Sequence, residues 1–247
     1  IYEEGFSVPL IVVWKNKIKS GRTVTDFVTF PDIAPTLLDL TGIPIIDQMT
    51  GKSFKKQLLT DKNGRIDPAR NHTLLGKERH DIGRVEGDKL SVSYPVRAIR
   101  TDQYLYVKNF IPSRWPVGNP EYGLLNCDNS PTKSHLMNLK DDKKKGDFYE
   151  INFGKRPEEE LYNVTKDPDC VVNLASNLVY SKIKDSLWLS LKTKLIEHQD
   201  PRIMGKGEIF DYYPYSRIPR QQKLYNKSDY DPIKLFEEKF SQKVNVN

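Results

Sequence analysis

Apolar and polar positions fall in blocks along the 247 residues. Near the start, Val8 to Trp14 is a continuous apolar run rich in β-branched residues with no turn signal inside it. Such a run predicts a strand buried on both faces. A buried strand needs neighbours, and no residues upstream in this sequence supply them, so residue 1 is expected to be a break inside a longer protein. A polar turn, Lys15 to Arg22, follows. Next, Pro31 or Pro35 suits the first turn of a helix whose apolar face is Leu37, Leu38 and Leu40, with Gly42 and Pro44 ending it.

Thr60-Asp61-Lys62-Asn63-Gly64-Arg65 reads as a polar linker, which sets the expected domain boundary: residues 1–65, then 66–247. Beyond it the period shortens. A short strand is expected over 72–76. Two more, over 94–100 and 104–110, are joined by Thr101-Asp102-Gln103 as a hairpin. Alternation assigns Val96, Ala98, Leu105 and Val107 to a core, and Arg97, Tyr106 and Lys108 to water. Residues 111–157 are rich in Pro, Gly, Asn, Lys and aromatics and predict long irregular segments with one short helix over 132–139. A strand running into a turn is expected over 160–169. Val179, Ile183, Leu187, Leu191 and Leu195 recur every four residues and predict the clearest helix. A polar tail from Gln199 ends in a predicted helix over 233–240.

Composition narrows the function little. At 37% hydrophobic residues the chain can bury a core, and its 39 basic against 33 acidic residues leave a net charge of +6, which suits an anionic partner or a mixed solvated surface. Cys127 and Cys170 are too few for a disulfide scaffold and lack metal-ligand spacing. No run approaches the roughly 18 apolar residues of a membrane-spanning helix. Asn71-His72-Thr73, Asn163-Val164-Thr165 and Asn226-Lys227-Ser228 fit the glycosylation acceptor pattern, one met often by chance.

Three segments agree in order with a known family: E-E-G-F-S-V-P-L-I-V, then T-F-P-D-I-A-P-T-L-L-D-L-T-G-I-P, then M-T-G-K-S-F-K-K-Q-L-L. They resemble the part of the formylglycine sulfatases that follows their last metal-binding motif. Gly76-Lys77-Glu78-Arg79-His80, Y-P-V-R-A-I-R-T-D-Q-Y-L-Y-V-K-N-F and F-G-K-R-P-E-E-E-L-Y-N-V-T-K-D-P-D extend the likeness to about residue 205. In these the chain is similar to the heparan N-sulfatase (sulfamidase) branch and its bacterial relatives.

That resemblance implies an α/β, alkaline-phosphatase-like fold, with 1–65 as the end of the catalytic domain and 66–247 as a smaller α+β domain. It implies a hydrolase acting on sulfated glycosaminoglycan sugars through a formylglycine hydrate and a calcium ion. Both are expected upstream of Ile1, leaving no catalytic or metal residue in this chain, which alone should be inactive. It further implies an exported protein: periplasmic, secreted or lysosomal.

Phe110-Ile111-Pro112-Ser113-Arg114 imitates the nucleophile motif, but Phe110 stands where an oxidisable Cys or Ser is required. Cys127-Asp128-Asn129 imitates the metal pair without its following Gly. The residues expected to contact substrate are Lys77, Glu78, Arg79 and His80, which offer cations, a carboxylate and an imidazole, with Arg97 as a further contact or a salt-bridge partner. Trp115, Tyr122 and Tyr149 are candidate sugar-stacking rings. Asp26, Asp32 and Asp39 read as helix-start or surface carboxylates. The expected partners are a sulfated glycan and the amino-terminal half of the same enzyme. No nucleic acid and no membrane span are expected, and a homodimer is left open. The alternative function is a non-catalytic module binding heparin-like polyanions through its lysines. A phosphatase or phosphodiesterase of the same superfamily fits the later motifs less well.

Overall fold

A computed structural model describes residues 1–79, 83–86, 89–142 and 144–213. The strands are β1 (His72–Lys77), β2 (Val85–Glu86), β3 (Lys89–Leu90), β4 (Val96–Thr101), β5 (Tyr104–Asn109) and β6 (Glu159–Asn163). The α-helices are α1 (Glu3–Phe6), α2 (Ile33–Thr41), α3 (Lys55–Leu59), α4 (Pro131–Asn138), α5 (Gly146–Phe153) and α6 (Ser181–Glu197). β1, β4, β5 and β6 form a four-stranded sheet in the order β1-β4-β5-β6, and β2 pairs antiparallel with β3. The expected α/β class is thus observed as a mixed fold.

Two compact units emerge. The first joins Ile1–Leu75, Ala98–Tyr106 and Leu161–Leu187; the second joins Gly76–Arg97, Val107–Glu160 and the described residues from Trp188 on. Neither is continuous in sequence, whereas the polar linker at Thr60 to Arg65 suggests a single cut.

The hairpin, β1, β6, α4 and α6 form where the periodicity places them. Three of the strand, hairpin and loop expectations fail. Val8 to Trp14 is not a strand: among the described residues none pairs with it, and Ile11 and Val13 are 84% and 86% exposed. An apolar run gains a strand's stability only from a ladder partner and a covering layer, and neither is present in the described residues. The hairpin does not alternate between core and water, because Arg97 and Tyr106 are buried along with Val96, Ala98, Leu105 and Val107. Residues 146–153 form α5, not an irregular segment; Tyr149 and Phe153 give it an apolar edge that packs with Leu124. The expected last helix and Asn226 lie outside the described residues. Asn163 is buried and Asn71 is exposed.

In the first unit, the segments T-F-P-D-I-A-P-T and T-G-K-S-F are tied directly to each other. Thr29 caps the 3₁₀ turn Phe30–Asp32 reciprocally with Asp32. The Asp32 carboxylate also accepts the Lys52 N–H (2.7 Å) and an Arg70 guanidinium N–H (3.0 Å). Arg70 donates further to the carbonyls of Phe27, Lys52 and Ser53. From the first turn of α2, Thr36 donates to the Asp32 carbonyl and accepts the Phe54 N–H. Gly51 is required for this approach, since a Cβ there would overlap the Pro31 carbonyl.

A second buried carboxylate, Asp26, takes the Gln57 amide (2.9 Å) and the N–H groups of Ile66 (2.7 Å) and Asp67 (2.8 Å). Burial alone would raise its carboxyl. These hydrogen bonds, with the nearby Arg65 charge, hold it below the usual carboxylate value. Asp32 stands at the start of α2, as the helix-start reading expects, but both it and Asp26 are buried structural knots and not surface carboxylates. Asp39, at the other end of α2, is bound by Ser53 and Lys55.

Gly51→Ala should lower the unfolding free energy by about 2 kcal/mol through overpacking. Asp32→Ala should lower it by about 3 kcal/mol by stranding the Arg70 charge. Urea unfolding monitored by tryptophan fluorescence checks both, and a change below about 0.5 kcal/mol for Gly51→Ala contradicts the close approach.

Candidate functional site

β1 carries the expected contact residues to the edge of the second unit. Alternation along the extended chain puts Gly76 and Glu78 on one side and Lys77 on the other. On the first side Gly76 leaves room for Arg97, whose Cδ would lie 3.1 Å from an added Cβ. The Glu78 carboxylate then sits between two guanidinium groups, 2.7 Å from Arg97 Nη2 and 2.7 Å from Arg202 Nη2.

The pairing continues in both directions. Arg97 Nε donates to Asp200 (2.7 Å), whose other oxygen accepts the Arg202 backbone N–H (2.8 Å). Arg202 also donates to the Ser93 hydroxyl, and Ser93 donates its N–H and O–H to Asp211 (2.7 and 2.6 Å). Arg114 closes the chain by pairing with Asp211 (2.9 Å) and Glu86 (2.6 Å). Burial would lower the Arg97 guanidinium, yet its hydrogen bonds to Asp200 and the charges of Glu78 and Asp200 raise it above the ordinary arginine value. Arg97 and Glu78 are thus engaged with protein partners. Arg79 donates to the carbonyls of Ser91 and Tyr213, and His80 lies outside the described residues.

Lys77 faces the other way. Arg84, 1% exposed, spends its donors on the carbonyls of Trp115 (2.7 Å), Val92 (3.2 Å) and Pro116 (3.0 Å). No carboxylate pairs with it among the described residues. Burial and Arg114 push its guanidinium down to about 10, against the partial support of Tyr94 and Asp211. Lys77 is half-buried. Burial first, then repulsion from Arg84, lower its ammonium below the ordinary lysine value, with the Cys127 thiol partly opposing. Among the described residues no carboxylate or carbonyl takes the Lys77 ammonium, so it is the one expected contact residue that the described structure leaves available to an anion.

The two imitation motifs fold as structure. The Phe110 N–H donates to the Pro95 carbonyl, and Arg114 belongs to the ion-pair chain. Asn129 accepts from the Lys133 ammonium (3.1 Å), which also binds the carbonyls of Leu124 and Cys127. A cation already occupies the side-chain oxygen of Asn129. Among the described residues no group of three His, Cys, Asp or Glu could hold a metal ion, so the described side chains do not fit a calcium site.

Residues 1–75 match the family described as N-sulphoglucosamine sulphohydrolase, C-terminal. Two Ulvan-active sulfatases of Formosa agariphila are each 26% identical, one over 94% of this chain and 34% of its own length, the other over 92% and 43%. The chain is thus similar to a carboxy-terminal sulfatase family in its first 75 residues and to sulfatases along most of its length. It spans about a third to two fifths of the length of these relatives. A solved structure bound to its substrate D-glucosamine-2-N,6-O-disulfate aligns over 76% of this chain and 28% of its own, at 17% identity and a TM-score of 0.48.

The structure brings the sequence signals Lys77 to Arg79 and Arg97 together, but Arg84, Ser93, Arg114, Asp200, Arg202 and Asp211 had no local signature. Only Asp200-Pro201-Arg202, two charges bracketing a proline directly after the clearest helix, offered a clue.

Burial would raise the Asp211 carboxyl, but Ser93 and Arg114 more than offset it and hold it below the ordinary value of 3.8. Its stabilising contribution is therefore complete above that value and is lost as pH falls through the lower folded one. Urea midpoints should fall more steeply below about pH 4 for the native sequence than for Asp211→Asn. Equal slopes would contradict the assignment.

Proposed function

We propose that this segment forms a substrate-facing wall of a formylglycine-dependent sulfatase of alkaline-phosphatase-like fold. The whole enzyme hydrolyses sulfate from N-sulfated or O-sulfated glycosaminoglycan sugars, in the manner of heparan N-sulfatase. Its formylglycine and calcium belong to sequence outside this chain, which is inactive alone, and the protein is exported. Amino-terminal sequence of the same enzyme covers the exposed run Val8 to Trp14.

The observation that carries this reading is the family match over residues 1–75 joined to a match with sulfatases along nearly the whole chain. The geometry supports a particular role for Lys77. A half-buried ammonium without an anionic partner among the described residues binds an incoming sulfate oxygen more strongly than a solvated one, because less water competes for it. Its neighbour Arg84 cannot substitute, its donors being committed to carbonyls. Glu78, Arg97 and Arg202 hold the strand end from which Lys77 projects.

Incubated with calcium and sulfated glucosamine, the 247-residue chain alone should release no sulfate; turnover at the rate of a complete sulfatase contradicts the division. In the longer enzyme Lys77→Ala should raise KM about tenfold or more with kcat little changed, the loss of one charge-assisted hydrogen bond. An unchanged KM removes Lys77 from the binding surface.

A further inference from the structure

In the second unit, the loop 115–127 is held far more tightly than an ordinary surface connection. The buried Arg84 grips its start through the carbonyls of Trp115 and Pro116. Asn119 fixes its middle: its N–H donates to the Gly83 carbonyl (2.7 Å), its side-chain oxygen accepts the Val85 N–H (3.1 Å), and its amide donates to the Val85 carbonyl (3.2 Å) and to Glu121 (2.8 Å). Gly83 and Gly118, both at positive φ, permit this contact, since a Cβ on Gly118 would stand 2.8 Å from the Gly83 carbonyl oxygen. Lys133 ties down the far end through the carbonyls of Leu124 and Cys127.

At the tip of this rigid loop Tyr122 is 51% exposed, with its N–H donated to the Asn119 carbonyl and left-handed Gly123 ending the turn. The two other aromatic candidates are taken. The Lys155 ammonium lies 5.0 Å from the centre of the Trp115 ring, and Tyr149 is buried against Phe153. An exposed ring on an over-determined loop presents a flat apolar face at little further entropic cost on binding. Beside it Glu121, held ionised by Asn119, accepts hydrogen bonds and repels sulfate. The loop packs on Gly83 and Val85, and the strand pairing continues from the Val92 N–H on the Arg84 carbonyl to the Tyr94 N–H on the carbonyl of Glu78, the residue after Lys77.

We propose that Tyr122 is a stacking platform for a second sugar ring of the polysaccharide, neighbouring the sugar whose anionic group Lys77 binds, with Glu121 accepting hydroxyls of that ring. The assignment rests on the sulfatase reading above and extends it from a monosaccharide to an oligosaccharide site. It makes the enzyme favour a chain over its isolated terminal sugar.

The test compares KM of the longer enzyme for a sulfated glucosamine monosaccharide and for a sulfated tetrasaccharide ending in the same sugar. Tyr122→Ala should raise KM for the tetrasaccharide about fivefold, equivalent to roughly 1 kcal/mol of stacking, and leave the monosaccharide constants and the melting temperature unchanged. Tyr122→Phe should retain native values. An unchanged tetrasaccharide KM, or an equal rise for both substrates, overturns the platform while the sulfatase reading stands. Absence of turnover of both substrates by the native longer enzyme overturns that reading and the platform with it.

Discussion

The site depends on one carboxylate held between two guanidinium groups. Glu78 lies 2.7 Å from Arg97 and 2.7 Å from Arg202, and these two arginines in turn secure Asp200 and Ser93. A buried charge is costly unless paired, and this arrangement pairs each of them at least once. It joins the end of β1 and the start of β4, 19 residues apart at Glu78 and Arg97, to the turn after α6, which lies 103 residues beyond Arg97 at Asp200. Because Glu78 is fixed on one side, its neighbour Lys77 must project from the other. The orientation of the available cation is thus set by an ion-pair lattice whose own members are engaged with one another.

A second constraint shapes the opposite side. Arg84 is buried with carbonyl partners in place of a carboxylate, and burial first, then repulsion from that cation, lowers the Lys77 ammonium. The same guanidinium anchors the loop that carries Tyr122. One buried residue therefore organises this loop and, on the proposed reading, bears on the anion contact as well.

Much of the fold was legible because its signals are local. Gly42 at positive φ ends α2 where the Gly-Pro pattern requires, and Asp102-Gln103 closes the hairpin between β4 and β5. The motifs T-F-P-D-I-A-P-T and T-G-K-S-F were legible as a resemblance, and the hydrogen bonds of Asp32 and the tight approach of Gly51 give the physical reason for their residue types. The exposed state of Val8 to Trp14 was not legible, because a periodicity argument specifies what a segment would bury and not whether a partner exists to bury it. Nor was the burial of Arg97, which breaks strand alternation because its carboxylate partners, Glu78 and Asp200, come from distant sequence. For the same reason the K-E-R run, read as a single cluster of contacts, divides into two engaged side chains and one available ammonium.

On the proposed reading, this segment shapes and orients a substrate surface, and the reactive groups belong to the rest of the enzyme. A crystal structure of the longer sulfatase with sulfated glucosamine bound tests this most directly. The account predicts the Lys77 ammonium within about 3 Å of a substrate sulfate oxygen, with Glu78 still between Arg97 and Arg202. A substrate bound with Lys77 paired to a protein carboxylate, or with Glu78 released from its arginines to contact the sugar, would contradict it.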